Sequence, residues 1–199
     1  MHYDVFNGDA DGIVALIQLR LANPIESELI TGVKRDISLL QQVDATKAKS
    51  VTVLDVSMEK NIDALHQLLE AGIDIDYIDH HRPGDIPRSD HLTVNIDTDA
   101  NTCTSLLVNE MLNGKYAYWA IAAAFGDNMI QAAEKLVEQY QLNQGQAELL
   151  KRLGVYINYN GYGQSINDLH FKPDELFKAL VKFENCLLYT SPSPRDQEA

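Results

Sequence analysis

Asp9 and Asp11 stand two residues apart in the loop NGDADG and aim two carboxylates from one tight turn, with Gly8 and Gly12 allowing backbone geometry that bulkier residues resist. Asp55 falls at the end of the β-branched stretch SVTVLDVS, and Asp79 at the end of IDIDYID, where His80 and His81 follow it. Acids gathered at one place repel each other unless cations sit between them. Hard carboxylates with one or two imidazoles suit Mg²⁺ or Mn²⁺ better than structural zinc, which prefers thiolates. Each feature alone has a plainer reading. A DxDG loop can be an acidic turn, an Asp at a strand end a helix cap or a solvated charge, and a His pair part of the structure. Their joint occurrence, in order, is what points to a cation site.

These side chains meet only if the chain folds their segments side by side. Residues 2–6, about 28–31, 50–57, 73–81 and 91–97 read as strands. Helices are expected over 13–22, over 59–71 with Gly72 ending it, near 102–112, 116–124, 129–141 and 145–158, and through ELFKALVKFEN. Cys103 reads as the start of a buried helix capped by Thr102 or Asn101. Strand–helix alternation of this kind predicts an α/β fold, a mostly parallel sheet flanked by helices on both faces. In that arrangement Asp9, Asp11, Asp55 and Asp79 lie at or just after the C-terminal ends of strands, the edge where open α/β sheets bind ligands.

NGDADGI (7–13), LDVS (54–57), DHH (79–81) and FGDN (125–128) match, in order and approximate spacing, four motifs of the DHH phosphoesterase superfamily, which the chain resembles from residue 3 to about 130. The resemblance implies a Rossmann-like DHH domain over 1–140, then a helical linker over 141–185 leading toward a C-terminal substrate domain. It implies two divalent cations, Mn²⁺ ahead of Mg²⁺. Asp9 would sit on one and Asp11 on the other, with Asp55 bridging and His80 and Asp127 completing the second ion's shell. His81 would face the substrate phosphate as contact or proton donor, and Asp79 would orient the loop from behind. The activity implied is hydrolysis of phosphodiester or phosphomonoester bonds in small nucleotides or short oligonucleotides, the two ions sharing and acidifying a water. Related enzymes place a His four residues before the first Asp, or an Asp two before it; here those positions are Val5 and Asn7. Asn7 offers an accessory carbonyl oxygen but no charge, so the first ion is expected to bind weakly. The glycine-rich element that grips substrate in the family's second domain has no counterpart in 130–185.

Other readings stay open beside this one. In a haloacid-dehalogenase-type phosphatase Asp9 would be a nucleophile and Asp11 an acid, but Ile13 replaces the usual Thr or Val and DHH goes unexplained. A manganese-dependent pyrophosphatase and a metal-binding regulatory domain without turnover are the remaining two. Tyr159 and Tyr162, within INYNGYGQSINDLHF, either stack on a nucleic-acid base or pack as an ordinary surface turn.

Composition limits the partners. The 199 residues carry 16 Lys+Arg against 29 Asp+Glu, a net charge of −13, with 45% apolar and 23% charged residues. With a pI near 4.7, tight binding of long duplex DNA is disfavoured, while small phosphorylated substrates held through metal ions are not. The apolar run Tyr116–Phe125 is about half of the roughly 20 residues needed to cross a bilayer, so no membrane role is expected. Acids stand where a signal peptide would carry basic and apolar residues, and two cysteines make no disulfide framework; a reducing cytoplasm is expected. The segment Cys186–Asp196 resembles the in-frame translation of a transposase adapter used in sequencing libraries, so 186–199 is expected to be non-native and poorly packed, with the natural sequence continuing differently past Asn185.

Overall fold

The computed structural model describes residues 1–187. In chain order the elements are β1 (His2–Phe6), α1 (Ala10–Ala22), β2 (Ser27–Thr31), β3 (Ser50–Leu54), α2 (Ile62–Glu70), β4 (Asp74–Asp79), β5 (Leu92–Ile96), α3 (Thr104–Met111), α4 (Ala117–Gly126), α5 (Ile130–Gln139), α6 (Gln144–Asn160) and α7 (Pro173–Leu180). The five strands form one parallel sheet in the order β2-β1-β3-β4-β5. His2 lies opposite both Ser27 and Ser50, and Ser50 opposite Asp74, so the C-terminal ends of β1, β3 and β4 come out level. This strand order has its topological switch point between β1 and β3, where ligand sites of open α/β sheets form.

Alternation along the strands sends side chains to two cores. Tyr3, Val5, Val51, Val53, Ile75 and Tyr77 pack under Leu65 and Leu68 of α2, while Phe6, Leu54 and Ile78 pack under α1 and the helices around it. The mostly parallel sheet with helices on both faces is therefore the observed architecture. Ile13 to Ile17 of α1 are fully buried, because the helix lies between the sheet and α3, α4 and α6. Gly154 makes the crossing of α4 and α6 possible: a Cβ there would come within 1.7 Å of the Ala122 carbonyl oxygen. Phe183, just beyond α7, is also tied down, with the buried Trp119 indole donating to its carbonyl at 3.0 Å. No helix among the described residues is long and apolar enough to cross a membrane.

Several boundaries differ from expectation for identifiable reasons. α1 begins at Ala10 rather than 13, because Asp9 caps it. β3 ends at Leu54 rather than 57, because Asp55 turns into the left-handed region at φ +57°. Neither Thr102 nor Asn101 caps α3; its first amides are taken by Asp11 from α1. Gly8 and Gly12 do not have positive φ. They supply room instead, since a Cβ at Gly8 would meet the Gly32 carbonyl oxygen at 1.8 Å and one at Gly12 the Asn7 carbonyl oxygen at 2.3 Å. The expectation of an unpacked tail fails where it begins: Cys186 is fully buried in the α1-side core and Leu187 packs against it. Residues 188–199 lie outside the described residues.

Candidate metal centre

Asp9 is the N-cap of α1. Its Oδ1 accepts from the amides of Asp11 at 2.9 Å and Gly12 at 3.2 Å, which leaves Oδ2 to face the sheet edge. Asp11, in the first turn of the same helix, reaches across to α3. Its Oδ2 accepts from the Thr104 amide and its Oδ1 from the Ser105 amide, both at 2.7 Å, so one carboxylate meets the positive end of a second helix. Asp55 follows β3 and Asp79 ends β4, both buried. Asp127 follows the last residue of α4, at the negative end of that helix, where a carboxylate is unfavourable without a cation nearby.

Three of these acids converge on one imidazole. Nε2 of His80 lies 3.3 Å from Asp55 Oδ1, 3.9 Å from Asp11 Oδ2 and 4.0 Å from Asp127 Oδ2. Two three-residue groups, Asp55–His80–His81 and Asp11–His80–Asp127, bring their ligand atoms within 4.8 Å of one another. Asp55 Oδ1 is buried with no hydrogen-bond partner, a costly state for a carboxylate oxygen unless a cation meets it. Burial, then the charges of Asp9, Asp11, Asp79 and Asp127, hold the Asp55 carboxyl well above the usual carboxylate range. Burial and the same crowding by Asp11 and Asp9 raise Asp127. Oxygen donors with one nitrogen and an orphaned buried oxygen fit a divalent ion such as Mn²⁺ or Mg²⁺.

His81 stands differently. Its Nδ1 lies 2.8 Å from Asp79 Oδ1, and its side chain is 46% exposed while that of Asp79 is fully buried. The hydrogen bond to Asp79 raises the His81 pKa above the ordinary histidine value, against the opposing effect of partial burial. Asn7 fastens loops. Its Oδ1 accepts from the Asp9 amide at 3.2 Å and its Nδ2 donates to the Lys34 carbonyl at 3.4 Å.

The sequence reading missed two residues of this edge. Nζ of Lys34 lies 2.6 Å from Asp9 Oδ2, 2.9 Å from Asn158 Oδ1 and 3.3 Å from Asp127 Oδ1. Burial works against the Lys34 charge, but Asp9 and Asp127 outweigh it and hold the ammonium more firmly protonated than a free lysine. Its position three residues after β2, at the sheet edge that carries the acids, was the available signal; Asn158, from the far end of α6, had none. Tyr162 places its ring centroid 5.7 Å from Lys34 Nζ, and Tyr159 and Tyr162 are exposed.

Solved structures resemble this fold. One, described as the DHH domain of a member of a family of ribosomal proteins, is 17% identical with a TM-score of 0.57, covering 79% of this chain and 46% of its own. Another, an exonuclease RecJ bound to manganese, is 15% identical with a TM-score of 0.59, covering 91% of this chain and 56% of its own. The chain thus spans about half the length of these two structures. A search of curated proteins found no match. The family model described as "DHH family, N-terminal domain" matches residues 3–138, more than half of the 199 residues, and the chain belongs to that family.

Proposed function

We propose that this centre hydrolyses phosphodiester or phosphomonoester bonds of small nucleotides or short oligonucleotides with the help of a divalent cation, Mn²⁺ before Mg²⁺. The convergence of Asp11, Asp55 and Asp127 on His80 Nε2, at the ligand-binding edge of the sheet, carries this reading. Those four residues would hold the ion, which when bound would acidify a water and offset charge on the phosphoryl oxygens.

The chain's own groups account for the rest. Asp79 takes the Nδ1–H of His81, which fixes the tautomer and leaves Nε2 to contact a phosphate oxygen or give a proton to the leaving oxygen. The raised His81 pKa keeps that proton available closer to neutral pH. Lys34 adds a second positive group beside the acids. The exposed Tyr162 ring beside Lys34, with the exposed Tyr159 three residues before it, favours a substrate with a base over inorganic pyrophosphate. The surplus of acidic residues argues against long duplex DNA as the partner. Membership of the DHH family sets the dehalogenase alternative aside.

The test is release of p-nitrophenol from a bis-phosphodiester and cleavage of a ladder of short RNAs, each with Mn²⁺ and with chelator. Mn²⁺-dependent turnover that disappears in His80→Ala is the expected result. Mn²⁺ binding without turnover on any of these substrates would favour the non-catalytic metal-binding domain instead.

A further inference from the structure

Asp127 divides the acids into two halves. Its Oδ2 faces His80, while its Oδ1 faces the Lys34 ammonium at 3.3 Å. On the His80 side stand Asp11 and Asp55, and both candidate ligand groups share His80. Nε2 is the nitrogen that faces all three carboxylates, and a ring nitrogen with one lone pair serves one ion. The two groups therefore describe one ion's place rather than two.

On the other side the oxygen set is already engaged. An ammonium has three N–H donors, and Lys34 has three acceptors within 3.3 Å: Asp9 Oδ2, Asn158 Oδ1 and Asp127 Oδ1. Asp9 belongs to neither candidate ligand group, and its other oxygen holds the start of α1. The backbone of Lys34 is pinned from two directions, its amide donating to the Gly161 carbonyl at 2.9 Å and its carbonyl accepting from Asn7. The ammonium is thus delivered to this spot by the fold of three separate segments, β1's loop, β2's loop and the end of α6.

We infer that Lys34 fills the place of a second cation, so that the centre takes a single divalent ion with a fixed ammonium beside it. This rests on the reading of the centre as a cation site. The chemical consequence is a division of labour. An ammonium is a compact point charge that does not acidify a water as a metal ion does, and with its three N–H donors engaged Lys34 acts on a phosphate through charge alone. Water activation then falls to the one ion on the His80 side, and Lys34 acts on the substrate's charge.

Equilibrium dialysis with Mn²⁺ near neutral pH, with metal counted per chain, tests this without reference to turnover. Electron paramagnetic resonance of the same samples separates an isolated Mn²⁺ from an exchange-coupled pair. The parent chain and Lys34→Arg should each hold one ion with the isolated-ion spectrum. Lys34→Ala should hold two, with the coupled spectrum. Two coupled ions in the parent would overturn the inference while leaving the cation site intact, and one ion in Lys34→Ala would overturn it as well. No ion in the parent would instead remove the reading of the centre itself. If Lys34→Ala does not fold, the counts for the parent and Lys34→Arg still decide between one and two.

Discussion

Asp55 holds a backbone conformation that non-glycine residues adopt at a cost of roughly 1–3 kcal/mol, and the return is a carboxylate aimed into a cluster of acids. Its raised pKa has a defined sign. The folded state holds the Asp55 proton more tightly than the unfolded chain, so in metal-free protein stability falls as pH rises from the ordinary carboxylate range through the folded value. Asp55→Asn should remove that loss, melting higher than the parent at neutral pH without metal. The same change should weaken Mn²⁺ binding more than Asp9→Asn, because Asp55 is close to His80 while Asp9 is engaged by Lys34. Calorimetric Mn²⁺ titration and metal-free melting curves of both variants check the two expectations; equal Mn²⁺ affinity in Asp55→Asn and the parent would refute the assignment. The acids of the centre were legible because each sits in a short motif. Asn158 was not, because its contact with Lys34 joins residues 124 positions apart and leaves no local pattern, and Lys34 was marked only by its place just after β2.

Among the elements, β1, α1 and β2 are joined by a buried ionic cluster near the N-terminal ends of the strands, the end opposite the centre's loops. Both oxygens of Asp4 accept from Arg20, and Ser27 donates to Asp4 Oδ2 at 2.6 Å. Burial opposes ionisation of Asp4, but the hydrogen bonds from Arg20 and His2 prevail and hold its carboxyl below the ordinary value. The stability it supplies is therefore present above the unfolded pKa near 3.9 and lost as pH falls through the folded value. Asp4→Asn should cost about 3–5 kcal/mol at neutral pH, because it leaves the Arg20 charge buried without its partner; urea denaturation measures this. Element types and order were readable from strand–helix alternation. The start of α3 at Cys103 was readable as well, but not what satisfies its first amides, since those bonds come from Asp11, more than 90 residues earlier.

At the scale of the molecule, the segment after residue 140 shares its core with what precedes it. Leu150, Leu153 and Ile157 of α6 are buried in the same cluster as Trp119 and Ala122 of α4. Burying three such side chains stabilises by roughly 5–9 kcal/mol, comparable to the 5–15 kcal/mol of a whole domain. A fragment ending at residue 140 should therefore lack a cooperative thermal transition by circular dichroism, whereas one ending at Asn185 should keep it. We propose the same fold unit for 1–185, with α6 also supplying Asn158 to the site. The sequence showed α6 as a helix but not its partner, because the close approach at Gly154 depends on a carbonyl 32 residues away.

The carboxylate of Asp11 has two tenants. It closes the open end of α3 and also faces His80. Each Asp11 oxygen accepts a single amide bond and keeps a lone pair, so a cation can share the carboxylate with the Thr104 and Ser105 amides, and loading of the centre should be felt at the first turn of α3. The first turn of α3 is then a built-in gauge. The chemical shifts of those two amide protons should therefore move on Mn²⁺ or Mg²⁺ loading while α3 stays folded.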